Sequence, residues 1–217
     1  MKKCIILANG LPPSKNTIKY LHAKGFKTIL CADGGANTAK ILGLIPVYII
    51  GDLDSIKPNI YNYYKDKCDV LKLTRQNDTD VEKCLKFIIK KKYDEVVLLG
   101  ATGDRLDHSF CNLGIVIKYF SKIKIKIIHQ KSLLSAYSGK VIIDTIPNEI
   151  ISLYGFDSKT LIKSSGLKYP LKNNSLPFGQ RESTSNIALG KKVQLQINGG
   201  IVFVIRDFDI VRKNDLI

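Results

Sequence analysis

KTILCADGGANTAKILGLIPVYIIGDLDS, Lys27 to Ser55, decides the fold class. KTILCA (27–32) and PVYIIG (46–51) are apolar runs of strand length, and ANTAKILG (36–43) between them predicts a short helix ended by Gly43. Both runs stop at carboxylates. Asp33, backed by Gly34 and Gly35, follows the first; Asp52 and Asp54 follow the second.

The same alternation extends both ways. KCIILA (3–8) predicts a buried strand, and residues 15–24 a weak helix. Downstream, Pro58 opens a helix, CDVLKL (68–73) is a strand, and residues 80–92 form an amphipathic helix with Val81, Cys84, Leu85 and Ile88 on one face. EVVLLG (95–100) is a strand, 107–120 a helix, and KIKIKIIH (122–129) a strand with a polar face. Six strands separated by helices predict an α/β domain: a mostly parallel, doubly wound sheet with helices on both faces. Beyond residue 130 the helical spacing stops. KVIID, EIISLYG, TLIKS, VQLQI and GIVFVI are strand-like, with NGG (198–200) as a hairpin turn between the last two. Residues 1–130 are therefore expected to form the α/β domain and 131–217 a small all-β domain, a sandwich or partial barrel.

Composition narrows the function classes. With 217 residues, 45% hydrophobic and 24% charged, the chain has the make-up of a globular protein, and no apolar run is long enough to span a bilayer. The apolar run after Lys2 and Lys3 is too short for a signal peptide and fits a first strand. Five widely spaced cysteines without a CxxC pair argue against a disulfide framework or zinc site and for the cytoplasm. The +15 net charge comes mostly from dispersed lysines. A solvated lysine surface is the default reading, help in attracting a polyphosphate comes second, and nucleic-acid signatures are absent.

Ligands of an open parallel sheet bind beyond the carboxyl ends of its strands. Four consecutive exits there carry acids: Asp33 in DGGAN; Asp52 and Asp54 in DLDS; Asp78 and Asp80, with Gln76, in TRQNDTD; and Asp107, with Gly103, Arg105 and His108, in ATGDRLDH. Each has a plain alternative. DGG can be only a turn, TDVE (79–82) a capping box, Asp107 a helix cap and His108 structural. Together on one sheet edge they favour function. In extended chain Asp52 and Asp54 would point the same way, and carboxylates with few other ligands suit Mg²⁺, which takes phosphate oxygens. Gly34, Gly35 and Gly103 would let backbone approach phosphates. Neither GxxxxGK[ST] nor GxGxxG occurs. The residues alone point to Mg²⁺-assisted chemistry on a nucleotide polyphosphate, by a kinase, a nucleotidyltransferase or a DxD glycosyltransferase.

ADGGAN, IIGDLDSI, NDTDVEKCL, LLGATGDRLDHSFCNL, SGLKYPL and STSN, in that order, resemble the thiamine pyrophosphokinase family over about residues 4–205. The resemblance implies an N-terminal α/β domain, a C-terminal β-sandwich, and transfer of a pyrophosphoryl group from ATP to thiamine. It implies that Asp52, Asp54 and Asp80 hold Mg²⁺ with Asp33 nearby, and that Arg105 and Asp107 join the catalytic set. Gly34, Gly35, Gln76, Asp78, Gly103 and His108 would then line the nucleotide. Thr184, Ser185 and Asn186 of a STSN loop would meet thiamine across a homodimer interface. The chain departs from the family in lacking tryptophan, which some members stack on thiamine, and in carrying Asp104 where many have a small residue. Another Mg²⁺-dependent, nucleotide-using transferase of the DxD type is the alternative, and a basic nucleic-acid-binding module a third.

Overall fold

The computed structural model describes residues 1–75, 77–103 and 105–216, and the chain divides into two compact units, Met1–Gln130 and Lys131–Ile217. Gln76 and Asp104, singled out above, lie outside the described residues.

In the first unit, strands β1 (Lys3–Leu7), β2 (Thr28–Ala32), β3 (Tyr48–Gly51), β4 (Asp69–Lys72), β5 (Glu95–Leu99) and β6 (Lys124–His129) alternate with helices. These are α1 (Lys15–Ala23), α2 (Gly35–Leu42), α3 (Pro58–Tyr64), α4 (Asp80–Lys90) and α5 (Leu106–Lys118). All strand pairs are parallel, in the order β6-β5-β1-β2-β3-β4. Cys4 to Leu7 and Val96 to Leu99 are all fully buried. Successive strand residues face opposite ways, so burial of every one requires cover on both faces. From β1 the chain builds outward through β2, β3 and β4, then crosses back to place β5 on the other side. The exits of β1 and β5 thus flank a topological switch point, where the strand ends splay and leave a crevice.

Two local expectations change. Thr79 caps α4, its hydroxyl accepting from Glu82 N–H at 3.3 Å. Glu82 does not complete the capping box. Its Oε1 accepts from Lys118 Nζ and Tyr119 OH, both at 2.6 Å, and so ties α4 to the end of α5. Asp107 does not cap α5 either; the N-cap is Arg105, and Asp107 pairs with that guanidinium at 2.5 Å.

The second unit is antiparallel: β7 (Ser132–Asp144), β8 (Ile150–Tyr154), β9 (Leu161–Ser165), β10 (Lys172–Ser175), β11 (Ser183–Ile187) and β12 (Lys192–Asp207), then helix α6 (Phe208–Lys213). NGG is not a hairpin turn. Residues 198–200 lie inside β12, where the register against β7 shifts between Ile197 and Val202. Gly199 at φ +89° makes an irregularity that bends one long strand instead of reversing it. Before the bend β12 pairs with β9, and after it with β8, so a single strand serves both parts of the sandwich. Its alternate residues Val193, Leu195, Ile197, Val202 and Val204 enter a core with Ile151, Leu153 and Ile162. Among the described residues no helix is long and apolar enough to cross a membrane.

Arg206 on β12 and Glu149 form a buried bidentate pair, Nε to Oε1 at 2.6 Å and Nη2 to Oε2 at 2.9 Å, and Nη2 also donates to Asp144 O. Glu149 is fully buried and Arg206 nearly so. Removing one partner leaves the other charge buried and uncompensated. Glu149→Ala is therefore expected to destabilise the protein by about 3–5 kcal/mol, read as a lowered urea midpoint. A loss below about 1 kcal/mol would mean that water reaches Arg206 and the pair is dispensable.

Candidate functional site

A cleft of about 350 Å³ opens at the switch point of the first unit. Its floor is the exits of β1 and β5, joined by Gly10 N–H to Gly100 O at 2.7 Å and Leu11 N–H to Thr102 O at 3.2 Å. Its acidic wall is built from three other exits. Asp33 follows β2, Asp52 follows β3 and Asp80 starts α4, and one carboxylate oxygen from each lies within 4.8 Å of the others.

Gly51 makes this convergence possible. A Cβ there would lie 2.6 Å from Asp33 Cβ and 3.1 Å from Asp80 Oδ1, so only glycine lets β3 pass beneath the two acids. Asp33 and Leu53 both adopt positive φ, +41° and +68°. Such backbone is uncommon outside glycine and persists where surrounding structure enforces it. Here Asn37 of α2 pins the loop after β3: its amide donates to Ser55 O at 3.0 Å and its Oδ1 accepts from Lys57 N–H at 3.1 Å. Ser55 N–H in turn donates to Asp33 Oδ2 at 3.0 Å.

The turn at Leu53 sets how the two aspartates of DLDS are presented. The chain is not extended there: it turns so that Asp54 N–H donates to Asp52 Oδ1 at 3.3 Å, and the Asp54 carboxyl stays beside those of Asp33 and Asp52. Asp54 is exposed and accepts from Ser55 Oγ at 2.8 Å, at the edge of the group in which Asp33, Asp52 and Asp80 lie within 4.8 Å of one another. The Ser55 hydroxyl first, and then Asp33, hold the Asp54 carboxyl below its ordinary range. Asp33 behaves oppositely. It is 1% exposed, and burial pushes it up to about 6 against the pull of the Ser55 N–H, with Asp80 and Asp54 adding to the rise. Its Oδ1 is buried without a hydrogen-bond partner. An orphaned carboxylate oxygen facing two more carboxylates is a donor set for a hard divalent cation, and Mg²⁺ fits it because it accepts few protein oxygens.

Of the remaining expected residues, Gly34, Asp78, Arg105 and His108 line the cleft, whereas Gly35, Gly103 and Asp107 do not. A Cβ on Gly35 would meet Leu7 O at 2.0 Å, so this glycine serves the packing of α2 on β1. Asp78 is bound by Lys86 at 2.6 Å, the main reason its carboxyl lies below its ordinary range. In the second unit STSN is strand β11, not a loop, with irregular pairing between Ser183 and Asn186 and Ser185 at φ +53°. Thr184 and Ser185 are exposed. Asn186 is buried and clamps the SGLKYPL segment, accepting from Tyr169 N–H at 3.1 Å and donating to Tyr169 O at 2.8 Å. Tyr169 is 60% exposed.

Sequence reading missed Lys83, Asn37, Ser55 and Asn112. Lys83 lies in the cleft wall, 2.8 Å from Asp80 and 3.9 Å from Asp52. Burial opposes its charge, but these acids outweigh burial and hold the ammonium above its ordinary range. Its spacing of three from Asp80 puts both on one helix face, which was the available signal. Asn112 of α5 donates to Ala101 O at 2.6 Å and fixes the β5 exit.

Two family models match the chain: the thiamin pyrophosphokinase catalytic domain over residues 21–128, and the thiamin pyrophosphokinase vitamin B1 binding domain over residues 140–202. Thiamine pyrophosphokinase 2 of Oryza sativa subsp. japonica is 28% identical, over 93% of this chain and 84% of its own. Thiamin pyrophosphokinase 1 of Caenorhabditis elegans is 28% identical, over 98% and 92%. The crystal structure of thiamine pyrophosphokinase from Bacillus subtilis superposes with a TM-score of 0.81 at 26% identity, over 95% of this chain and 99% of that one.

The Asp33 carboxyl carries a testable sign. Raised in the fold above its unfolded value of 3.8, it imposes no penalty below that value and its full penalty above about pH 6. In a chelating buffer, Asp33→Asn is expected to be more stable than wild type by about 1–3 kcal/mol at pH 7.5, the advantage fading as pH falls toward 4. Thermal melts across that range read it; an advantage that is absent at pH 7.5, or that persists unchanged at pH 4, contradicts it.

Proposed function

The chain belongs to the thiamin pyrophosphokinase family, and from that premise we propose that it transfers the pyrophosphoryl group of ATP to the hydroxyl of thiamine, giving thiamine diphosphate and AMP. The observation that carries the reading to this cleft is the trio Asp33, Asp52 and Asp80 at the switch point, with one buried oxygen left unpaired. Those three carboxylates would hold Mg²⁺ together with the polyphosphate. The cation, when bound, neutralises phosphate charge and offsets the mutual repulsion of the acids.

The remaining roles fall to the chain's own side chains. Gly34 and Gly10 line the cleft with backbone that phosphates can approach closely. Arg105, 61% exposed at its side chain, can leave Asp107 for a phosphate oxygen at small cost, because exposed pairs are weak. The thiamine hydroxyl attacks the β-phosphorus, the new O–P bond forms as the bond to the AMP oxygen breaks, and the hydroxyl proton passes to a carboxylate of the cluster. Positioning supplies most of the rate, as in other phosphoryl transfers. Asp54 borders this cluster and supports the loop.

Thiamine is assigned to the second unit. Thr184 and Ser185 are free to face a ligand because Asn186 fixes the strand behind them. With no tryptophan in the chain, Tyr169 supplies the aromatic face. A homodimer in which these residues complete the partner's cleft is part of the same proposal. So is a cytoplasmic location, which free cysteines at all five positions support.

Purified protein with ATP, Mg²⁺ and thiamine is expected to release AMP, with none above background when thiamine is omitted. Asp80→Asn should lower kcat by at least about 100-fold, the scale of losing one preorganised charge contact at a reacting group. Thiamine-independent turnover of a sugar nucleotide would instead favour the DxD transferase. For the second unit, Ser185→Ala combined with Tyr169→Ala should raise the KM for thiamine about tenfold, with the KM for ATP unchanged. Equal effects on both substrates would remove the thiamine assignment.

A further inference from the structure

Of the chain's 29 lysines, Lys83 is the one that the fold buries among the described residues, at 5% exposure. Burying an ammonium is costly unless acids beside it offset the cost. Asp80 sits three residues earlier on α4, so the helix alone holds that pair at 2.8 Å. Asp52 comes from the exit of β3, and its approach to 3.9 Å joins the ammonium to a second element of the acidic wall. Lys83 therefore faces the space enclosed by the trio. With it, the four charges sum to −2; without it, to −3.

We propose that Lys83 is a positioning residue acting as a built-in countercharge: it holds Asp52 and Asp80 in place in the absence of a divalent cation, and it weakens the hold of the cluster on the bare cation. The inference rests on the cation site of the proposed function. Its logic is electrostatic. A cation entering the trio comes close to the ammonium and is repelled by it at short range in a poorly solvated wall. The same ammonium relieves the acids of mutual repulsion when the cation is absent, so less is gained when the cation arrives. A cluster matched to two positive charges releases its cation more readily than one carrying an uncompensated third negative charge, and that suits a site whose cation must leave or exchange with each nucleotide.

The test is Mn²⁺ binding to the full chain without nucleotide, followed by electron paramagnetic resonance. Lys83→Met should bind Mn²⁺ at least tenfold more tightly than wild type, and its melting temperature should be lower in chelator and return toward wild type when Mn²⁺ is added. Tightening is diagnostic, because structural damage to a metal site weakens binding. Lys83→Gln keeps a donor for Asp80 without charge, carries the same expectation, and decides the matter if the methionine variant does not fold. Lys83→Arg keeps the charge and should stay within about threefold of wild type. Equal or weaker Mn²⁺ binding in the folded neutral variants overturns the inference while leaving the cation site intact. Absence of Mn²⁺ binding in wild type overturns both.

Discussion

Mutual repulsion of three carboxylates is the constraint around which the first unit is organised. Oxygens of Asp33, Asp52 and Asp80 within 4.8 Å of one another repel by on the order of 3 kcal/mol per pair at an effective dielectric of about 20. No local preference of the chain would assemble them. The parallel sheet does so by delivering three strand exits to one edge, and the accessory features serve the same end. Gly51 clears the space, Asn37 pins the loop after β3, Ser55 steadies Asp33, and Lys83 supplies internal charge. Positive φ at Asp33 and Leu53 is a further cost borne at the site.

Much of this was legible in the sequence because it is local. The runs KCIIL, TILCA and EVVLL are buried strands, and Asp33 and Asp52 follow the ends of TILCA and YIIG as the spacing implied. What could not be read depends on partners distant in the chain or on single dihedral angles. Asp52 and Asp54 look equivalent in GDLDS until Leu53 turns left-handed, which brings Asp52 closest to Asp33 and Asp80 and leaves Asp54 at the edge of that group. Glu82 has the spacing of a capping box, but Lys118 and Tyr119, more than thirty residues away, offer better partners. NGG has the composition of a hairpin turn, and pairing on both sides of it keeps β12 continuous. STSN, lacking apolar alternation, reads as a loop, yet pairing with β8 makes it a strand.

Lys83 illustrates a further limit. In an amphipathic helix a lysine is assigned to the wet side, and here α4 buries Val81, Glu82, Lys83, Cys84 and Leu85 in succession. The helix is enclosed on more than one side near its start: one side lies against strands β2 and β3, another is bound through Glu82 to α5, and a third forms the cleft wall. Periodicity describes a helix with one covered face, so it is least informative where a helix begins at a functional edge.

The bent strand β12 has a consequence for how the chain comes into being. It pairs with β7, β8 and β9, so these three strands, between residues 132 and 165, lack their common neighbour until residue 207 has been made. On the ribosome the first unit has its whole sheet in hand by residue 129, while the second must wait for residue 207. A truncation that removes β12 therefore unpairs far more of the chain than it deletes. It leaves the α/β unit able to close and the β unit with exposed edges, the state in which strands from different chains find one another.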